Sequence, residues 1–309
     1  MRRIEGLEGA PALRDPVCAV GVFDGVHRGH RQLLYELHLW ASSIEGDACV
    51  VTFSNHPLQV LRGIEVPPIL SIENRLLEFE RHSIEAAVVL DFAAVKDLGA
   101  EQFLQTVLLE GLGCRRLLLG FDSHLGRNRE GGPDNLPAMG KALGIEVRIA
   151  SPVLDKSGAK IGSSAIRNAI RVGDLAAAAN MLGRPVALRG HVVHGDGRGT
   201  GIGVATANLD VGGQVLPPDG VYLVRVFHDG RTAPAVANLG TRPTFGPGGA
   251  RVLEIHVPGW TGELYGDALE ARLVRWIREE REFESTAALK EQIARDLEVL
   301  SQAVEAGEV

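Results

Sequence analysis

Cysteine is scarce in this 309-residue chain. The three present, Cys18, Cys49 and Cys114, each sit in an apolar run (PVCAV, ACVVTF, LGCRRLLL) with no paired or metal-type spacing. That excludes a disulfide framework and points to buried thiols in a reducing compartment. No apolar run approaches the roughly 20 residues that a membrane span requires. The opening stretch, MRRIEGLEGAPALRDP, is charged and broken by proline, unlike a secretory leader. Positive charge is not in excess either. The formal charge of −7 argues against broad nucleic-acid binding, while a local basic pocket for a phosphorylated ligand stays compatible with it. Internal repeats and low-complexity tracts are also missing. The expectation is a soluble, cytoplasmic protein whose partners are small molecules. Its length suggests about two domains, each able to close its own core without staples.

What is there has two rhythms. Up to about residue 150, the short runs VCAVGVF, ACVVTF, AAVVLD, RRLLLG and IEVRIA alternate with segments of helical period. Between the first two, Leu33, Leu34, Leu37, Trp40, Ala41 and Ile44 make one apolar helix face. Strands separated by helices run parallel, and a parallel sheet opens its ligand crevice beyond the carboxyl ends of its strands. From about residue 164 come SAIRNAIRVG and DLAAAANMLGRP, with Gly183 and Pro185 as a stop. Then VALRGHVVH, ATANLDV, GVYLVRVF, APAVANLG, RVLEIHV and LEARLVRWI follow with no long helix between them, which predicts a small antiparallel barrel. Ser285 precedes a terminal helix whose Leu289, Ile293, Leu297 and Leu300 form a stripe expected to lie on the barrel. The fold class is therefore α/β, a parallel-sheet domain over residues 1–183 followed by a barrel domain over 184–309 with a terminal helix.

GVFDGVHRGH, residues 21–30, lies at a strand's carboxyl end. Its glycines let backbone approach a ligand closely, and a helix starting near His27 aims positive partial charge at the same point, so an anion is the natural guest. His27 and His30, at i and i+3 of the first turn, share a face and can both donate to the oxygens of a transferring phosphate. In GDGRGTGIGVATANL, residues 195–209, five glycines make a loop able to wrap phosphates. Thr206 and Asn208 add oxygens of the kind Mg²⁺ accepts, although such residues equally cap a turn and begin a strand. His191 and His194, three apart on a strand, fall on opposite faces and make no metal site.

GVFDGVHRGH resembles the G-x-F-D-G-x-H-x-G-H signature of nucleotidyltransferases. TFSNHP (52–57), GFDSHLGRNREG (120–131), IGSSAIRNAI (161–170) and GVATANL (203–209) are similar to further segments of the bacterial bifunctional riboflavin kinase/FAD synthetase family. So are the downstream DGVYLVRV, NLGTRPTFG, LEIHV, ELYG and IREEREF. The resemblance spans nearly the whole chain. It implies a Rossmann-like nucleotidyltransferase domain and a riboflavin kinase-like barrel that use ATP and Mg²⁺ to make FMN from riboflavin and FAD from FMN. By it, Gly21, Phe23, Asp24, Gly25, Ser163, Ser164 and Arg167 bind ATP in the first domain, where His27 and His30 stabilise adenylyl transfer. Gly203, Thr206 and Asn208 hold nucleotide and metal in the second, where Glu254 is the general base. Arginine suits the clamp because it offers phosphate paired donors. Asp122 lies in the flavin-side loop. His56 is either a flavin-site residue or a satisfied turn residue, and Arg278 either contacts the flavin or its phosphate or pairs with a nearby glutamate.

Departures fall at positions expected to face ligands. Ser123 and Leu125 stand where the family has two aromatic residues that can enclose the flavin ring, Gly162 replaces a serine, and Ala205 replaces proline. Pro258 and Gly259 occupy a stretch where aspartate is common. These leave open a paralogue with one activity weakened or only one active domain, or with a modified flavin or another small phosphate ester as first-domain substrate, and a non-catalytic flavin or nucleotide sensor. Oligomeric state is not legible.

Overall fold

The computed structural model describes residues 1–9, 12–156, 158–194, 206–241, 251–260, 264–281 and 283–309. The chain divides into two compact units, Met1–Ser163 and Ser164–Val309.

The first unit begins with β1 (Arg2–Glu5), β2 (Val17–Val20), α1 (Arg28–Ser43), β3 (Ala48–Phe53), α2 (Pro57–Arg62), α3 (Ile72–Arg81) and β4 (Ala86–Leu90). It continues through α4 (Phe92–Val95), α5 (Ala100–Phe103), a wide-turn helical extension over Leu104–Gly111, β5 (Arg116–Leu119), α6 (Leu136–Ala142) and β6 (Glu146–Ile149). The six strands form one parallel sheet in the order β1-β4-β3-β2-β5-β6. Every inner strand is buried on both faces, which is why its sequence is an unbroken apolar run. Alternation sorts the side chains: Val17, Ala19, Ala48, Val50, Ala87 and Val89 pack under Leu34 and Leu37 of α1 and Phe79 of α3. Cys18, Val20, Cys49, Val51, Ala86 and Val88 pack against Phe103, Leu104 and Leu108. All three cysteines are free and buried in that second layer. The chain passes from β2 to β3 on one side and later to β5 on the other, so the order reverses at β2. The crevice for a ligand opens beyond that strand's carboxyl end.

The second unit carries α7 (Ser163–Arg171, entered one residue earlier) and α8 (Leu175–Leu182), which ends on left-handed Gly183 with φ 73°. Then come β7 (Ala187–Val193), β8 (Ala207–Asp210), β9 (Gly220–His228), β10 (Arg231–Thr241), β11 (Arg251–His256) and β12 (Ala268–Arg278), closed into an antiparallel barrel ordered β10-β11-β8-β7-β12-β9. Leu188, Leu209, Leu253, Ile255, Ala235, Ala237, Leu239 and Leu273 fill its interior. Helix α9 (Thr286–Glu305) starts at Ser285, whose hydroxyl caps the Ala288 N–H at 3.2 Å. Its Leu297, Leu300 and Ala303 cover Val221, Leu223 and Val236 on the barrel's outer surface, which matches the later half of the expected stripe; nearer the helix start the buried residues are Gln292 and Asp296, while Leu289 and Ile293 are half-buried. Among the described residues no helix is long and apolar enough to cross a membrane.

Candidate functional site

In the first unit the segment after β2 turns through a strained loop. Phe23 (φ 53°), Gly25 (φ 82°) and Val26 (φ 38°) are all left-handed, a conformation that costs a β-branched residue about 1–3 kcal/mol and is kept where the surroundings demand it. The buried Asp24 holds the loop, its carboxylate accepting the Ile69 N–H at 2.9 Å and the Leu70 N–H at 3.1 Å. Its carbonyl oxygen accepts the Ser163 hydroxyl at 2.9 Å, which brings two of the expected ATP residues together. The loop delivers His27 to the N-cap of α1, where its Nδ1 accepts the His30 N–H at 3.3 Å. An imidazole that accepts at Nδ1 carries its proton on Nε2 when neutral. The two rings stack 3.6 Å apart and 18° from parallel. Gly29 is glycine for a local reason: a Cβ there would stand 3.2 Å from the His27 ring.

Behind the rings lies Arg75, which nothing in the motif announces. Its guanidinium donates to the Val22 carbonyl, the Thr52 hydroxyl at 3.1 Å and the Phe53 carbonyl at 3.0 Å, tying the end of β3 to the loop after β2. The available signal is an arginine on the face of α3 that also carries Leu76 and Phe79. Burial, with the nearby His27 and Arg75 adding to it, holds the His30 imidazole well below the usual histidine range, and its Nδ1 is buried with no hydrogen-bond partner. His30 is therefore neutral at neutral pH. A neutral, desolvated His30 beside a helix amino end favours an arriving polyanion, whose negative charge the imidazoles and the helix end can meet.

The other expected residues lie on separate elements. His56 caps α2 before Pro57, its Nδ1 accepting the Leu58 N–H at 3.2 Å, as in its turn-residue reading. Asp122 is exposed, its carbonyl 3.0 Å from the His124 ring. Leu125 pairs with Gly131 and is buried in the core with Phe103 and Leu136, so that departure is absorbed by packing instead of facing a ligand. Ser164 and the buried Arg167 lie on α7 and are counted with the second unit.

In the barrel, Asn208 of β8 stands directly opposite Glu254 of β11, and Glu254 directly opposite Asn238 of β10. Opposed residues in antiparallel pairs share a face, so the three polar side chains form one row across three strands. The row is on the barrel's outside, because the alternating Leu209, Leu253, Ala237 and Leu239 are inside. Thr206 lies two residues before Asn208. Gly203 and the rest of residues 195–205 lie outside the described residues. Of the two readings of Arg278, the structure shows an ion pair: it donates to Asp296 of α9 at 2.8 and 3.0 Å, an aspartate where a glutamate was expected. Sequence reading missed Asn238, although it lies in a quoted segment, since nothing in one strand shows its register with another.

A family model described as FAD synthetase matches residues 10–165, and one described as riboflavin kinase matches residues 182–304. A bifunctional riboflavin kinase/FMN adenylyltransferase of Pseudomonas fluorescens is 34% identical over 96% of each chain, and that of Escherichia coli K12 is 36% identical over 96% of this chain and 95% of its own. The chain belongs to this family. Both of these relatives of the bifunctional riboflavin kinase/FMN adenylyltransferase family match nearly the whole chain, across both units. A solved structure from Streptococcus pneumoniae, titled a macrolide-efflux protein, covers 97% of this chain and 99% of its own with a TM-score of 0.84 and 30% identity.

Proposed function

We propose that the chain carries out two ATP-dependent steps. At the barrel, the terminal ribityl hydroxyl of riboflavin loses its proton to Glu254 and its oxygen attacks the γ-phosphorus of ATP, giving FMN and ADP. At the parallel-sheet unit, a phosphate oxygen of FMN attacks the α-phosphorus of a second ATP. The bond to the β-phosphate breaks, and FAD and pyrophosphate leave.

The observation that carries the reading is the His27–His30 stack at the mouth of the sheet's crevice. Little covalent work falls to the protein in nucleotidyl transfer, so positioned donors supply most of the effect. The Nε2 edges of both rings would hold the triphosphate, and His30 would take up a proton as the negative charge arrives. Asp24 and Ser163 keep the loop in place. By the resemblance we assign Ser164 and Arg167 to the same nucleotide, and we keep the functional boundary at 183/184, later in the chain than the division by compactness after Ser163.

Divalent metal fits the barrel row. Thr206 and Asn208 offer neutral oxygens of the type a hard cation accepts, and among the described residues no cluster of three histidine, cysteine or acidic side chains could cage an ion alone. We assign Mg²⁺, which when bound neutralises charge on the nucleotide phosphates. The three unpaired, buried thiols support a reducing, cytoplasmic setting.

Purified protein incubated with riboflavin, ATP and Mg²⁺, with the flavins separated by chromatography, should yield FMN and then FAD. His30→Ala should stop at FMN. Glu254→Ala should make FAD only when FMN is supplied. Loss of both steps in either variant would refute the division of labour.

A further inference from the structure

Glu280 is an exposed glutamate just past the end of β12, and its carboxylate accepts the Asn238 side-chain N–H at 3.1 Å. A carboxylate can only accept, so the Asn238 amide must turn its nitrogen toward Glu280 and present its oxygen elsewhere. Asn238 stands directly opposite Glu254 in the polar row.

Two further features show that the arrangement is built. Gly240, next on the same face of β10, has no positive φ to require glycine, yet a Cβ there would overlap the Glu280 carboxylate. The residues around Glu280 are anchored to α9 as well: Arg278 to the carboxylate of Asp296, Arg281 to Gln292, and Gln292 to Asp296 at 2.8 Å. Asp296 and Gln292 are both buried. The segment that carries Glu280 is thereby tied to α9 on both sides of it, at Arg278 and Arg281.

We propose that Glu280 is a positioning residue for phosphorylation at the barrel. It orients the Asn238 amide so that the amide oxygen, an acceptor, meets a hydroxyl of the polyol substrate beside Glu254. The proposal rests on the kinase reading of this unit and adds a residue to it.

The test measures riboflavin phosphorylation with riboflavin and ATP varied separately, and FMN adenylylation as a control for intact protein. Wild-type protein that does not phosphorylate riboflavin removes the kinase reading and this proposal together. With wild type active, Glu280→Ala is expected to raise the KM for riboflavin roughly ten-fold with the KM for ATP unchanged, and Glu280→Gln, which can still accept through its oxygen, to restore most of it. Gly240→Ala, which displaces the carboxylate with Glu280 still present, should reproduce the alanine phenotype. An unchanged riboflavin KM in Glu280→Ala overturns the proposal alone. Equal rises for both substrates, or no rescue by glutamine, also overturn it.

Discussion

Gly29→Ala should separate catalysis from stability in the first unit. Gly29 lies in the first turn of α1 without a positive φ, so alanine suits its backbone and favours the helix by roughly 0.5–1 kcal/mol. The new Cβ, however, would stand 3.2 and 3.3 Å from Cε1 and Nδ1 of His27, closer than the ~3.5–4.0 Å of comfortable contact. The ring has little freedom to yield, because His30 stacks on it at 3.6 Å and its Nδ1 is bonded to the His30 N–H. A displacement of a few tenths of an ångström results. Since a misplacement of about 1 Å can cost a hundred-fold, a loss of about ten-fold in kcat/KM for FMN adenylylation is expected, close to 1.4 kcal/mol of barrier. Thermal unfolding should move by no more than about 2–4 °C in either direction. Riboflavin phosphorylation, measured on the same preparation, should be unchanged. Wild-type adenylylation in this variant would refute the claim that the His27 ring must sit where it does.

The depressed pKa of His30 sets a pH dependence. Between its lowered folded value and the ordinary value of about 6.5, the unfolded chain binds a proton that the folded chain does not, so stability rises with pH across that window and is fully present above it. Denaturant titrations between pH 5 and about 7 should show His30→Gln flattening this rise. Arg75→Met strips a donor from the Phe53 carbonyl and from the Val22–Thr52 pair, and should destabilise the first unit by about 1–3 kcal/mol in urea unfolding. Tyr222, whose hydroxyl donates to the Pro218 carbonyl, has its pKa pushed up by burial to about 12. Spectrophotometric titration should show a phenolate step there that Tyr222→Phe removes.

Much of the architecture is legible because inner parallel strands are buried on both faces and read as apolar runs. The outer strands of the same sheet do not. RRIE of β1 buries only Ile4, and EVRI of β6 only partly buries Val147. The first is missed by sequence reading, and the second is recovered because apolar residues flank it. The barrel strands and the Ser285 cap are readable from alternation and capping chemistry. His27, His30, Asp24 and Ser163 are readable as a motif, and the structure joins them. Arg75 and Glu280 are not, since each acts through a partner at least 20 residues away, and a solvated arginine or glutamate has the same local sequence. Leu125 is the converse: alignment to a ligand-side motif suggested exposure, and packing decided otherwise.

The Arg75 clamp also bears on how the nucleotide crevice responds to an occupant. The strand end and the adjoining loop are tethered to each other by an internal cation, so this wall is expected to keep its position when a nucleotide binds. With such a wall, a truncated nucleotide is expected to lose affinity in proportion to the contacts it forfeits, which binding measurements with a series of shortened nucleotides would check.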